Sequence, residues 1–89
     1  MSNKPVVSEN TQFSLYYYDS CPFCARVLSS LRNIKVNVEL RNIASDPNHR
    51  NALHKATRRT TVPCLRIDNG KDSQWMFESM DIMRFLQSL

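Results

Sequence analysis

Eighty-nine residues are enough for one small domain with a single core, and argue against a second domain or a large cofactor cradle. With 42% hydrophobic and 22% charged residues the chain has a folded composition, and no run approaches the roughly 18–20 apolar residues of a membrane helix. Twelve Lys and Arg against eight Asp and Glu leave a net charge of +4, which favours anionic small molecules or acidic partner surfaces without selecting one class.

Residues 1–11, MSNKPVVSENT, hold only Val6 and Val7 as an apolar patch, whereas a secretory signal needs about 7–15 apolar residues. They are expected to be a disordered N-terminal extension to a domain over 12–89, and the protein is expected to be cytoplasmic. In that reducing compartment cysteines are more often catalytic or metal-binding than permanent staples. The chain has three, an odd number that no closed disulfide framework accommodates.

The aromatic run at 13–18 predicts a first strand. Cys21-Pro22-Phe23-Cys24 follows it, and Cys24, Val27, Leu28 and Leu31 recur at helical spacing, predicting an amphipathic helix over 22–33. Val36, Val38 and Leu40 alternate with polar residues in a second strand at 36–40. Ser45-Asp46-Pro47 is a helix start, a capping side chain followed by proline in the first turn, and that helix runs to about Thr57. Strands at 63–67 and 74–77 flank Asp68-Asn69-Gly70, a hairpin-type turn. The last helix begins near Ser79 and buries Ile82, Phe85, Leu86 and Leu89. A βαβ unit, a hairpin and a closing helix make a two-layer α/β arrangement.

Three segments carry chemistry. Cys21 falls at the cap of the first helix with Pro22 at its first position, so the free N–H groups of Phe23 and Cys24 and the helix dipole favour a thiolate on Cys21. Cys24, one turn along, is less exposed and close enough to close a small disulfide ring. The competing reading is half of a zinc site completed by Cys64, His49 or His54, but a five-residue spacing between the histidines is a poor bite. Thr61-Val62-Pro63 opens a strand with a proline; were the Val62–Pro63 bond cis, the Val62 backbone would present an N–H and a C=O to an extended peptide. The ordinary alternative is a trans proline at a strand start. In Phe77-Glu78-Ser79-Met80-Asp81-Ile82, Ser79 caps the last helix, leaving N–H groups of Met80 and Asp81 for a carboxylate and the Asp81 side chain for an ammonium. The alternative is capping alone.

Together, in this order and spacing, these segments resemble a glutaredoxin over about 13–89. Cys-Pro-Phe-Cys is similar to the family's Cys-Pro-Tyr-Cys centre, Thr61-Val62-Pro63 to its cis-proline segment, and Glu78-Ser79-Met80-Asp81-Ile82 with Phe85-Leu86 to the glutathione segment of glutaredoxins related to the N-terminal domain of glutathione transferases. The resemblance implies a thioredoxin fold, βαβαββα with a four-stranded mixed sheet flanked by helices, and a cis Pro63. It implies Cys21 as nucleophile and Cys24 as its partner. Phe23, Arg59, Val62, Pro63, Glu78, Ser79 and Asp81 become the glutathione-binding residues. Glutathione is then the reducing co-substrate, with no bound cofactor or metal. Disulfide-containing or glutathionylated proteins are the partners of a monomer that engages neither nucleic acid nor membrane.

The chain also departs from the family pattern. Tyr18 stands where many glutaredoxins carry a lysine three residues before the nucleophile, and Arg59, or Arg58, could replace that charge. Phe77 and Glu78 stand where glycines usually precede the last helix. Cys64 beside Pro63 is extra, and reads as a small core residue or a site of oxidation. A thioredoxin is disfavoured because Ser20 precedes Cys21 and Pro22-Phe23 separates the thiols, where thioredoxins carry Trp-Cys-Gly-Pro-Cys. The alternative class is a non-catalytic glutathione-binding module or an iron–sulfur cluster carrier using Cys21.

Overall fold

A computed structural model describes residues 7, 8 and 10–89; the disorder expected of 1–11 falls mostly on residues 1–6 and 9, outside the described residues. The chain forms β1 (Gln12–Tyr17), α1 (Pro22–Ser30), β2 (Val38–Asn42), α2 (Pro47–Thr57), β3 (Cys64–Asp68), β4 (Ser73–Met76) and α3 (Ser79–Gln87), with a 3₁₀ turn at Leu31–Asn33 after α1. The four strands make one mixed sheet in the order β2-β1-β3-β4. β1 runs parallel to β2 and antiparallel to β3, and β3 is antiparallel to β4. This is the α/β thioredoxin fold.

Alternation along the two central strands explains the layers, because successive side chains in a strand point to opposite faces. Phe13 and Leu15 of β1 and Leu65 and Ile67 of β3 face α1 and α3, where Val27, Ile82 and Leu86 close the main core. Tyr16 and Cys64 face the other way and pack with Ile43 and with Leu53 of α2. The helices therefore divide between both faces, giving three layers where the order of elements suggested two. The reason is the parallel β1–α1–β2 crossover, which covers one face and leaves the polar-looking segment 47–57 to cover the other. That helix contributes only Leu53 as a buried side chain. Burying each of these large apolar side chains stabilises the fold by roughly 1.5–3 kcal/mol.

Local chemistry sets the boundaries. Asp46, not Ser45, caps α2, its carboxylate accepting the Asn48 N–H at 2.9 Å. The predicted first helix tightens into the 3₁₀ turn at Leu31, and β2 lies two residues later than the alternation suggested. Its register is fixed by β1, with Phe13 opposite Val38 and Tyr17 opposite Asn42. Arg41 belongs in that strand because its Nη1 donates to the Tyr16 hydroxyl at 2.7 Å, which Arg66 approaches from β3 at 3.3 Å. The hairpin turn forms as predicted, with Asn69 N–H donating to the Asp72 carbonyl at 2.9 Å and Gly70 at φ 89°. Ahead of β1, the Thr11 hydroxyl donates to Asn69 Oδ1 at 2.7 Å.

Candidate active site

The site is assembled at three chain junctions that the fold brings to one end of the sheet. At the first, Cys21 is the N-cap residue of α1, with extended backbone (φ −89°, ψ 116°) and Pro22 next. Its sulfur accepts the Cys24 N–H at 3.3 Å. A backbone donor and the positive end of the helix thus face Cys21 Sγ, an arrangement that stabilises negative charge there. All three cysteines are free thiols. Cys21 is 5% exposed and Cys24 not at all. Burial, reinforced by its contact with Cys21, pushes the Cys24 thiol up to about 12. Cys24 therefore stays protonated across the physiological range.

The second junction is the loop from α2 into β3. The Val62–Pro63 bond is cis, and the Val62 carbonyl lies 3.9 Å from Cys21 Sγ, within reach of a thiol donor. The carbonyl is thus turned onto Cys21 Sγ, whereas the cis geometry had been expected to present both Val62 groups outward. Cys64, directly after Pro63, is wholly buried, and burial pushes its thiol up to about 12 against a smaller opposing effect of the Arg59 charge. It is a core residue of the α2 face.

The third junction leads from β4 into α3. Glu78 occupies the N-cap position at φ 72°, ψ 111°, and makes no capping hydrogen bond through its side chain. This corrects the expectation that Ser79 caps the helix. The left-handed turn is completed at Glu78, so Ser79 is already the first helical residue. Ile82 N–H bonds the Glu78 carbonyl at 3.0 Å, and the N–H groups of Ser79, Met80 and Asp81 have no intrahelical acceptor. Glu78 stands where the family usually has glycine, and it adopts the backbone conformation that glycine would adopt at least cost.

Between these junctions lies a pocket of about 180 Å³ lined by Phe23, Thr61, Val62, Pro63, Phe77, Glu78 and Ser79. Five of the predicted binding residues share it: Phe23, Val62, Pro63, Glu78 and Ser79. Asp81 is exposed in the first turn of α3 and does not line it. Arg59 lies just behind it, with Cζ 4.3 Å from the centre of the Phe77 ring. Tyr18, at the position of the familiar lysine, packs into the α2-side core. Phe77 and Thr61 were not singled out as binding residues. The signal available for Phe77 was its place in a motif where glycine is usual. A wider groove of about 620 Å³ at the opposite end of the sheet includes Ser14, Lys35, Glu39 and Arg41 but no cysteine. His49 Nε2 lies 3.4 Å from Asp46 Oδ2, and among the described residues no three His, Cys, Asp or Glu side chains converge.

A thioredoxin fold with two thiols at the start of its first helix, a cis-proline beside them and an open helix start across a small pocket defines a class of thiol-bearing proteins. Comparison with known proteins narrows it. The glutaredoxin family profile matches residues 13–71, and the chain belongs to the glutaredoxin family. It is 38% identical to Glutaredoxin 2 of Escherichia coli (strain K12), over 84% of this chain and 33% of the relative. Among solved structures it is similar to a Leishmania protein described as a unique trimeric glutathione transferase, TDR1, at TM-score 0.68 and 32% identity, covering 85% of this chain and 17% of that one. A variant of the thioredoxin-like protein BC3987 shares the fold at TM-score 0.66 and 23% identity, with 84% of this chain and 99% of that one covered. The chain spans about a third of the length of the curated relatives it matches.

Proposed function

We propose that the protein is a glutathione-dependent thiol-disulfide oxidoreductase that reduces glutathione mixed disulfides and protein disulfides. The observation that carries this reading is the placement of Cys21 Sγ. It is the cap of α1, 3.3 Å from the Cys24 N–H and 3.9 Å from the Val62 carbonyl, and Val62 and Phe23 form the wall of the adjoining pocket. A thiol ligand lying in that pocket brings its sulfur to Cys21. Its backbone meets Val62, and the γ-glutamyl carboxylate meets the unfilled N–H groups and hydroxyl at Ser79 while the Glu78 carboxylate meets the ammonium.

In the reaction, the Cys21 thiolate attacks the glutathione sulfur of a mixed disulfide. A Cys21–glutathione disulfide forms, and the substrate leaves as a thiolate that takes up a proton. A second glutathione, as thiolate, attacks the glutathione sulfur held on Cys21, releasing oxidised glutathione and restoring the Cys21 thiolate. For protein disulfides, Cys21 forms the mixed disulfide with one substrate sulfur and Cys24 attacks Cys21 to release the substrate as a dithiol, leaving a Cys21–Cys24 disulfide that two glutathione thiols reduce, with release of oxidised glutathione. Cys24 suits the second role because it lies in the first turn of α1, its N–H 3.3 Å from Cys21 Sγ. The reaction belongs in the cytosol, where glutathione is kept reduced.

The test is glutathione-coupled turnover of a glutathionylated peptide and of a protein disulfide. Cys21→Ser is expected to lose both, and Cys24→Ser to keep the first and lose the second. Equal loss of both in Cys24→Ser would refute the division of roles. An inactive wild type would refute the reading itself in favour of a binding or cluster-carrying module.

A further inference from the structure

The sheet has two edges, and they differ. β4 carries no charged residue and leads straight into the pocket rim at Phe77 and Glu78. β2 lies at the other edge and contributes nothing to the pocket. Its sequence, Val-Glu-Leu-Arg-Asn over 38–42, is complementary in charge to itself when reversed about Leu40. The hydrogen-bond phase of the strand is fixed by the Ile43 N–H, which bonds the Tyr17 carbonyl of β1 at 2.8 Å. In a parallel ladder alternate residues turn both backbone groups to the same neighbour. Glu39 and Arg41 therefore address β1, and the N–H and C=O of Leu40 point outward. Among the described residues nothing bonds them. The Leu40 side chain is also 48% exposed, although Leu15, its register partner on β1, is fully buried. Unpaired backbone groups beside an exposed leucine make this edge a template for another strand.

We propose that β2 is a dimerisation edge: two copies of the chain pair through it, antiparallel about a two-fold axis at Leu40, and join their four-stranded sheets into one. In that register Leu40 of each copy exchanges both backbone bonds with Leu40 of the other, and the two apolar side chains cover each other. Glu39 falls opposite Arg41 of the second copy, twice by symmetry, at the non-hydrogen-bonded positions where facing side chains come closest. Arg41 is already held in place, its Nη1 donating to the Tyr16 hydroxyl at 2.7 Å and its Nε to Glu39 of its own strand. The two neighbouring registers that keep the same phase set Glu39 against Glu39, or Arg41 against Arg41, and like charges directly opposite are destabilising. The charges thus select one register. The dimer stands in place of the monomer expected from the sequence, and it is independent of the glutathione reading because the pocket of each copy stays open. One strand pair is a small contact, so the two copies separate on dilution.

The experiment is sedimentation velocity of the whole chain from about 10 μM to about 1 mM, in excess reductant so that no disulfide links two copies. The wild type is expected to pass from monomer to dimer across that range, and a monomer throughout would overturn the inference. Leu40→Pro removes an N–H that serves no bond within the copy, a place where an edge strand tolerates proline. It should keep the fold, checked by thermal unfolding, and abolish the dimer. Glu39→Arg sets like charges opposite each other and should weaken the dimer about tenfold or more. Combining Glu39→Arg with Arg41→Glu restores opposite charges and should recover it. A dimer that survives in Leu40→Pro, or is as tight in Glu39→Arg as in the wild type, would overturn the inference. Amide exchange gives a reading that needs no variant. The Leu40 N–H should exchange more slowly as concentration rises, while the Arg41 N–H, directed at β1, stays constant. Exchange at Leu40 that ignores concentration in dimeric protein would place the contact elsewhere and overturn the inference.

Discussion

The starts of α1 and α3 face the same pocket and are built in opposite ways. At α1 the cap is a thiol: Cys21 Sγ takes the Cys24 N–H, so the helix satisfies itself with the group to which the proposed function gives the chemistry. At α3 the cap position is Glu78 in a left-handed conformation with no capping bond, so the helix leaves its donors open. The start of α2, away from the pocket, shows what a purely structural cap looks like, with Asp46 bonded to Asn48. A helix start that is satisfied internally spends a donor on its own cap, and one left open keeps its donors free.

The largest effect that sharpens this contrast comes from Cys21→Ser. Serine is a good N-cap, so the Cys24 N–H keeps an acceptor and stability should change by less than about 0.5 kcal/mol, while turnover falls to the uncatalysed background. Urea unfolding alongside the activity assay checks it. A loss of stability well beyond 1 kcal/mol would mean that the sulfur is needed for more than capping and chemistry. Asp46→Ala should do the reverse, costing about 1 kcal/mol of stability with activity unchanged.

Next is the pH dependence of stability. Burial raises Cys24 and Cys64 from 9.0 to about 12 in the folded protein. Below pH 9 both thiols are protonated whether folded or unfolded, and they contribute no pH dependence. Between pH 9 and 12 the unfolded chain gives up these protons while the folded chain keeps them. Unfolding then releases protons, and stability falls as pH rises, by up to a few kcal/mol per thiol on the linkage relation. Cys64→Ala removes one of the two groups, so its stability should fall less steeply than that of the wild type between pH 9 and 12. Parallel curves would mean that the Cys64 thiol ionises as readily folded as unfolded.

Much of this contrast was legible in the sequence. Cys21-Pro22 spells a cap and a first helical position, and the order of strands and helices follows from hydrophobic alternation and turn residues. The parts that were not legible depend on contacts between segments distant in sequence. The three-layer arrangement depends on which face α2 covers, and its single buried residue, Leu53, gives almost no periodic signal. The extent of β2 depends on Arg41 reaching Tyr16 across the sheet. The place of Arg59 depends on Phe77, eighteen residues on, and no local pattern pairs a guanidinium with a ring so far away. Ser79 was misplaced by one residue because serine is so good a cap that Glu78, a poor one, was passed over; only its φ of 72° shows that the turn ends there.

That φ gives the third way to test the contrast. If the open start of α3 depends on a conformation costly to glutamate, Glu78→Gly should be more stable than Glu78→Ala by about 1 kcal/mol. Both should raise the KM for a glutathionylated peptide, because both remove the carboxylate. Equal stabilities of the two variants would show that the turn imposes no cost on a side chain.

The smallest effect is expected at Asp81. It shares the first turn of α3 with Ser79, which made it a candidate partner for the ligand's ammonium, yet it is exposed and lies outside the pocket wall. An acid in a helix's first turn is stabilising through the dipole alone, by about 0.3–1 kcal/mol at low salt. Asp81→Asn should therefore lower stability slightly, with the loss fading as salt is added, and leave the KM for a glutathionylated peptide within about twofold on the same electrostatic scale. Glu78→Gln, which neutralises a carboxylate inside the pocket, should raise that KM several times more than Asp81→Asn does. The opposite ranking would move the ammonium from Glu78 to Asp81 and extend the ligand site along the first turn of α3, past the pocket that now bounds it.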